Sequence, residues 1–453
     1  MKKLSRFVCI LLVWVMIFSM AGCGEQKTNS GNTGVTPNAS GTPKDSPQTS
    51  SAQPSETTPA EPIKLTLWDY MSSDEDSRVL RPILEKWAEE NPNIIIERDF
   101  VSVEDHKIKL KTSISVNSAA DIFISWGGGF SKPFVDAGKV LQLDDYISDD
   151  LKSRFIPAYN EAMTYDGKLY GLPFNGWVGI LFCNSELFEK NGIAYPETFD
   201  DLLSAVGKFR EKGINPLAVG VNETWTAALY HNVIALRTAG SEASMAALTD
   251  KGSFNTPEMK DSIAKLSQLI KANAFMDGHM GLNYDETRSQ FKQGQVAMIF
   301  DGSWFAGECE TDDCMVKGKV VPKKFPVITG GKGKATEYLG GSIDCFMVSA
   351  NTKYPKEAVK ALEYICFNHS TQGYYNGLGM PVYKDEFDNT KLDRVTAEIN
   401  ELVKDAEKYQ LAWDTILSEG DTQIMLELVA DVFTGKTTPE MFAEKMQKIN
   451  DAK

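Results

Sequence analysis

Residues 63–96 read IKLTLWDYMSSDEDSRVLRPILEKWAEENPNIII. Ile63, Leu65 and Leu67 alternate with Lys64 and Thr66, the period of a strand with one buried face. Val79, Leu80, Ile83, Leu84 and Trp87 then recur three and four apart, which predicts an amphipathic helix capped by Asp74 or Asp76 and stopped at Asn91-Pro92-Asn93. Ile94-Ile95-Ile96 begins a second strand, a further helix is expected over 104–118, and Asp121-Ile122-Phe123-Ile124-Ser125 is a third buried strand. This β-α-β-α-β order predicts an open, mostly parallel sheet with helices on both faces. Such sheets bind ligands beyond the carboxyl ends of their strands, so the loops after Trp68 and Ser125 are the first candidates for contact.

The pattern repeats further on. Strands are expected at Leu217 to Val221, Ala297 to Phe300 and Phe346 to Val348, with helices near 226–238 and 258–272 and a mostly helical chain after 355. At 453 residues the chain has room for two lobes with separate cores. A composition of 42% hydrophobic and 24% charged residues is that of an ordinary globular protein.

The first 22 residues have a different character. Lys2, Lys3 and Arg6 precede an apolar run from Phe7 to Phe18 and then small residues, the pattern of an export signal and too short a run for a spanning helix. Met20-Ala21-Gly22-Cys23 resembles the bacterial lipobox, which implies cleavage before Cys23 and a diacylglyceryl group on its thiol. Two acyl chains hold a protein at a membrane where one does so only marginally. Residues 24–61 hold Val35 as their single branched aliphatic and no aromatic, so they cannot bury enough apolar area to offset the entropy of ordering. They are expected to form a disordered tether.

The formal charge is −15, and removal of Lys2, Lys3 and Arg6 with the signal makes the mature chain more acidic still. Nucleic acid is not an expected partner, because phosphate binding draws on Lys and Arg clusters and only short KGK scraps occur between Lys317 and Lys334. Anionic ligands are disfavoured for the same reason. Beyond Cys9 and Cys23 the chain has Cys183, Cys309, Cys314, Cys345 and Cys366, an odd number that leaves at least one thiol free. Cys309 and Cys314 flank Thr311, Asp312 and Asp313 and could close a short bridge. With no pair of CxxC motifs and four His in all, no metal and no cofactor are expected. Asp74-Glu75-Asp76 lacks the spaced ligands and central Gly of a calcium loop, and a helix N-terminus accounts for it more simply.

Between about residues 62 and 450 a series of landmarks resembles the family 1 extracellular solute-binding proteins, the sugar-binding receptors of ABC importers. They are Ala120-Asp121-Ile122, YDGKLYGLP at 165–173, Asn184 with LFEKNGI at 187–193, Pro196 with Thr198-Phe199, FKQGQVAM at 291–298, Gly302-Ser303-Trp304 and GLGMPV at 377–382. The resemblance implies an α/β, two-lobed, periplasmic-binding-protein-like fold of type II, with a hinge crossed more than once, near Pro173 and near Gly340-Gly341. The expected division is a signal at 1–22, lipidated Cys23 and tether to 61, one lobe from 62–173 plus 341–385, and a second from 174–340 plus 386–453. It also implies an oligosaccharide as small-molecule ligand and the transmembrane subunits of an ABC permease as partner. Contact with the membrane is expected through the lipid anchor alone, on the extracytoplasmic face, and the protein is expected to be a monomer.

A sugar ring has an apolar C–H face and an edge of hydroxyls, so its site needs flat aromatic surface with donors and acceptors beside it. Burial at about 25 cal/mol per Å² makes a ring face of ~50 Å² worth roughly 1 kcal/mol, and hydroxyls left unpaired in a closed cleft would cost about as much again. Four tryptophans fall where a cleft is expected. Trp126 follows the third strand and precedes Gly127-Gly128-Gly129, a run that allows close backbone approach to a ligand. Trp304 matches the Trp of the family's Gly-x-Trp element, which the resemblance implies stacks on sugar; Trp177 lies just past the first crossing, and Trp225 follows Asn222-Glu223-Thr224. Asn175, Glu223, Asp344, Asp69 and Tyr70 are the polar candidates beside them, and helix capping or solvent exposure is the competing role for each. Any of the tryptophans could instead be core; Trp87 reads as core, and Trp413 is open between the two.

An enzyme is the competing class. Paired carboxylates could hydrolyse glycosides, but no pair sits in a context that marks an acid and a nucleophile, and no Gly-x-Ser-x-Gly or His-Glu-x-x-His occurs. Within the same fold, a polyamine would suit the acidic charge; Tyr374-Tyr375 could serve a ferric ion as paired phenolates, but the two lie in a helical stretch before the Gly377 turn, where packing is the expected role.

Overall fold

The computed structural model describes residues 61–71, 75–249 and 251–452. The expected export signal, Cys23, the tether up to residue 60 and the candidate cap Asp74 lie outside these residues, and the side chain of Asp76 is not described.

β1 (Ile63–Asp69) buries Leu65, Leu67 and Asp69 at alternate positions. α1 (Arg81–Glu90) continues a π-helical stretch, Asp76–Leu80, carries Pro82 at its second position, and buries Ile83 and Trp87. β2 (Ile94–Phe100) follows, then α2 (Val103–Ser115), capped where Ser102 Oγ accepts from the Asp105 N–H, and then β3 (Ile122–Trp126). After β4 (Gly171–Pro173) the chain leaves this lobe through residues 174–176 and enters β5 (Trp177–Asn184), every residue of which is buried.

The second lobe continues with α3 (Phe199–Glu211), started by a reciprocal Thr198–Asp201 cap, and with β6 (Asn215–Ala218). α4 (Thr224–Ala239) is buried almost all round, with α5 (Pro257–Lys271) against it. α6 (Tyr284–Lys292) begins at a second reciprocal cap, Asn283–Glu286, and leads to β7 (Val296–Gly302), β8 (Val320–Lys323) and β9 (Glu337–Gly341). Residues 342–343 carry the chain back to β10 (Asp344–Val348), and α7 (Pro355–Tyr375) packs on the first sheet. The C-terminal elements return to the second lobe: α8 (Arg394–Leu402) on β8, β11 (Lys408–Gln410) beside β9, then α9 (Trp413–Ile416), α10 (Glu419–Phe433) and α11 (Pro439–Asp451).

Among the described residues the first sheet runs β2-β1-β3-β10-β4 and the second β11-β9-β5-β7-β6, with β8 also on β5. The α/β class and the two lobes stand, but the sheets are mixed where mostly parallel ones were expected. β2, β1 and β3 are parallel, whereas β10 is antiparallel to β3 and β4 antiparallel to β10. The reason lies in the connection. β4 leaves at the rim where β3 ends, and a chain coming back at that rim can only run the opposite way.

β1 and β2 are locked at that rim by a charge pair. Arg98 Nε and Nη2 donate to the Asp69 carboxylate at 2.5 and 2.7 Å, the Met71 N–H donates to it at 3.0 Å, and Asp69 is wholly buried. Replacing Arg98 by Met strands a buried carboxylate and is expected to cost about 3 kcal/mol of stability. Urea unfolding with an unmoved midpoint would contradict this.

Candidate ligand-binding cleft

Strand direction decides which side chains meet. β3 ends at Trp126, and β10, antiparallel to it, begins beside it with Asp344 opposite Trp126. β5 begins at Trp177, paired with Gly341 at the end of β9; β7 ends at Gly302, paired with Gly179, and β6 runs parallel to β7 toward the same rim. Trp177, Trp304 and the 219–225 loop therefore share one rim, and Tyr70, Trp126 and Asp344 share the other. Gly341 and Asp344 are three residue steps apart, at most about 10 Å of extended chain, so the two rims face one junction.

On the first rim Tyr70 stacks on Trp126 with ring centroids 5.1 Å apart and planes at 9°. Its hydroxyl donates to Asp344 Oδ1 at 2.9 Å, and the Trp126 indole also donates to this carboxylate. Burial pushes the Asp344 carboxyl up to about 6, these two donors opposing the rise and Glu75 adding to it. His106 and Phe130 meet Trp126 edge-on, and Lys107 Nζ lies 5.3 Å from its ring centre. One indole face is thus taken by Tyr70.

The second rim is a row of rings. Trp177, buried, tilts against Trp304 at 5.1 Å; Trp304 Nε1 donates to Tyr284 Oη at 2.6 Å; Trp225 tilts against Tyr284 at 4.7 Å. The Trp304 indole lies flat on Gly302, where a Cβ would come within 2.3 Å of the ring, so only glycine admits this pose. Behind the row Tyr284 Oη donates to Asp301, and Arg288 lies 3.7 Å from Asp301 and pairs with Glu308. Burial raises the Asp301 carboxyl to about 6 against the pull of Arg288.

Asn175 sits on the crossing, buried, with Oδ1 lacking a hydrogen-bond partner among the described residues. Glu223 Oε2 accepts from the Tyr284 N–H at 2.9 Å. Burial raises the Glu223 carboxyl, with Glu104 of the opposite lobe adding to the rise and Lys107 opposing it. Burial likewise raises Asp414, where the same two residues act.

Two expectations are corrected by these contacts. Asp69 is spent on Arg98 inside the first lobe, with no exposed surface left for a ligand. The glycine run admits the chain's own backbone: a Cβ at Gly127, Gly128 or Gly129 would meet Ala162 O, Thr415 O or Leu417 O at 2.4, 2.3 and 1.9 Å. The Tyr374 and Tyr375 hydroxyls are engaged by Asn389, Asn400 and the Asp388 N–H at the end of α7, the packed role expected of a helical pair. Trp413, open in the sequence, is fully buried against His231 and Phe254, and all five cysteines from Cys183 onward are buried free thiols.

Residues 72–366 match the model of the bacterial extracellular solute-binding proteins. The chain belongs to this family. Among its relatives, the multiple sugar-binding protein of Streptococcus mutans is 24% identical over 328 residues, 70% of this chain and 75% of that one. A solved structure from work on xylan utilization by the thermophilic bacterium Caldanaerobius polysaccharolyticus is 39% identical, covers 85% of this chain and 100% of its own, and superposes with a TM-score of 0.83. A chitin oligosaccharide binding protein is 27% identical, with a TM-score of 0.79 over 87% of this chain and 99% of that one. No helix among the described residues is long and apolar enough to cross a membrane.

Sequence reasoning about this solute-binding protein missed Tyr284, Asp301, Arg288 and Lys107. Asp301 directly precedes the Gly302-Ser303-Trp304 element and was within reach; Tyr284 and Arg288 lie on a capped helix whose pattern says nothing of the cleft. The Asp344 carboxyl, ordinarily near 3.8, holds its proton more tightly in the folded protein. Its contribution to stability is therefore complete below pH about 4 and lost as the pH rises through about 6. Asp344→Asn, which cannot ionise, is expected to gain melting temperature relative to the parent between pH 4 and pH 7; parallel curves for the two would refute the assignment.

Proposed function

We propose that this protein is the lipid-anchored receptor of an ATP-driven importer and that it closes its two lobes around an oligosaccharide. The observation that carries the reading is the row of rings Trp177, Trp304, Tyr284 and Trp225 on one rim, with the Tyr70–Trp126 stack and Asp344 on the other. Flat indole surface suits the C–H faces of successive sugar rings, and Asp344, Glu223 and the unpaired Asn175 Oδ1 suit their hydroxyls. Hinge bending about the short crossings brings the rims together, and the closed form is what the permease receives. Binding without turnover fits a family of binding proteins, and the names of its relatives speak of xylan, chitin oligosaccharide and multiple sugars. A fragment of a β-linked polysaccharide is thus the favoured ligand, with xylo-oligosaccharides first.

A thermal-shift screen of xylotetraose, chitotetraose, maltotriose, raffinose and spermidine tests this, since a ligand bound only by the folded form raises its melting temperature. A β-linked sugar is expected to give the largest shift; a response to spermidine alone would replace the sugar reading by the polyamine one. Trp304→Ala is expected to weaken binding tenfold or more with folding intact, and unchanged affinity by calorimetry would remove Trp304 from the site. Cys23→Ser is expected to release the protein from the membrane fraction, and its retention there would refute the anchor.

A further inference from the structure

We infer that Tyr284 is a positioning residue that sets the plane of the Trp304 indole for the ligand, an inference that rests on the sugar-cleft reading. Trp304 occupies a single turn, Ser303–Phe305, after β7, with Gly302 beneath its ring and Trp177 tilted against it. Packing of this kind leaves the edge of the indole to be set by Nε1, whose hydrogen bond goes to Tyr284, and that atom is a donor only. An ionised carboxylate is an acceptor only. Tyr284 Oη stands between them, 2.6 Å from Trp304 Nε1 and 3.0 and 3.1 Å from the two oxygens of Asp301. The phenol must therefore donate to Asp301 and accept from the indole, and a flipped indole would lose its partner.

The chain of bonds is anchored at both ends. Asp301 accepts from the Gly302 N–H at 2.8 Å, so it also pins the residue on which the indole lies. Arg288, one helical turn after Tyr284, places its guanidinium 4.8 Å from the Tyr284 ring centre and 3.7 Å from Asp301. The same tyrosine gives its backbone N–H to Glu223 and its ring to Trp225. One residue from α6 thus sets Trp304 and adjoins two further candidate contacts, and it does so without being required to touch the ligand.

Tyr284→Phe keeps the ring contacts and deletes the hydroxyl alone. In ¹⁵N-labelled protein the Trp304 indole N–H resonance, identified by its loss in Trp304→Phe, is expected to move upfield and exchange faster with solvent in Tyr284→Phe. An unmoved resonance would overturn the inference without any ligand being needed. Calorimetry with xylotetraose, or with whichever sugar of the screen binds, is expected to give about a tenfold loss of affinity in Tyr284→Phe. No further loss is expected when Tyr284→Phe is added to Trp304→Ala. An equal further loss in the double variant would mean that Tyr284 acts on the ligand directly and would overturn the positioning role. If Trp304→Ala weakens binding and Tyr284→Phe does not, the inference fails while the cleft reading stands. If Trp304→Ala leaves affinity unchanged, Trp304 is outside the site and the inference fails with it, while a screen in which no sugar binds sinks the cleft reading itself. Asp301→Asn, which keeps the phenol but weakens what orients it, is expected to move the same resonance by a smaller amount, and gives the test a second variant should Tyr284→Phe not fold.

Discussion

Gly341 pairs with Trp177 in one sheet, and three residues later Asp344 pairs with Trp126 in the other. Everything in the cleft follows from the shortness of that step. Ser342 Oγ donates to Asn175 O at 2.8 Å, so this crossing is tied to its neighbour at 174–176, and Gly176 bridges to Met380 on a further segment. A Cβ at Gly340 would come within 2.3 Å of Trp177 O, which explains a glycine where the strands run closest. With the junction so constrained, the ends of β3 and β7 and the start of β5 have no freedom to look elsewhere.

The two rims answer the same need with different means. The first lobe offers a stacked pair, Tyr70 on Trp126, steadied by a carboxylate that both rings address. The second offers a row of tilted rings backed by a buried charge network, Asp301–Arg288–Glu308. Tyr70, Trp126, Trp304 and Tyr284 are held by hydrogen bonds to their polar atoms, which act at the ring edges and not on the faces. Lys107 lies where the lobes come near each other, paired with Glu104 at 2.8 Å and acting on Glu223 and Asp414 opposite. Lys111 reaches Glu419 across the lobes at 2.5 Å.

Much of the fold was legible in periodicity. Ile63 to Trp68, the Val79 to Trp87 stripe and the Asp121 to Ser125 run became β1, the helix ending in α1, and β3 within a residue or two. The direction of β10 was not legible, because Asp344 to Val348 reads the same as a parallel or an antiparallel strand; only the route of the chain through the second lobe reverses it. The strand expected to reach Val221 stops at Ala218, where the chain turns toward the cleft.

The candidate site was legible wherever an aromatic follows a strand, as at Tyr70, Trp126 and Trp304, since in this class of fold such positions lie at a rim. Asp69 and Trp413 mark the boundary of that reasoning. Nothing local tells Asp69 from Asp344, yet one carboxylate meets Arg98 across a strand pair and the other meets Tyr70 and Trp126 at the rim. The sequence alone determined the order of strands and helices and the set of residues that could serve a sugar. Tertiary structure decided which of them do meet, and brought in Tyr284 and Arg288, because hydrogen-bond partners separated by tens of residues are set by how sheets join and leave no periodic trace.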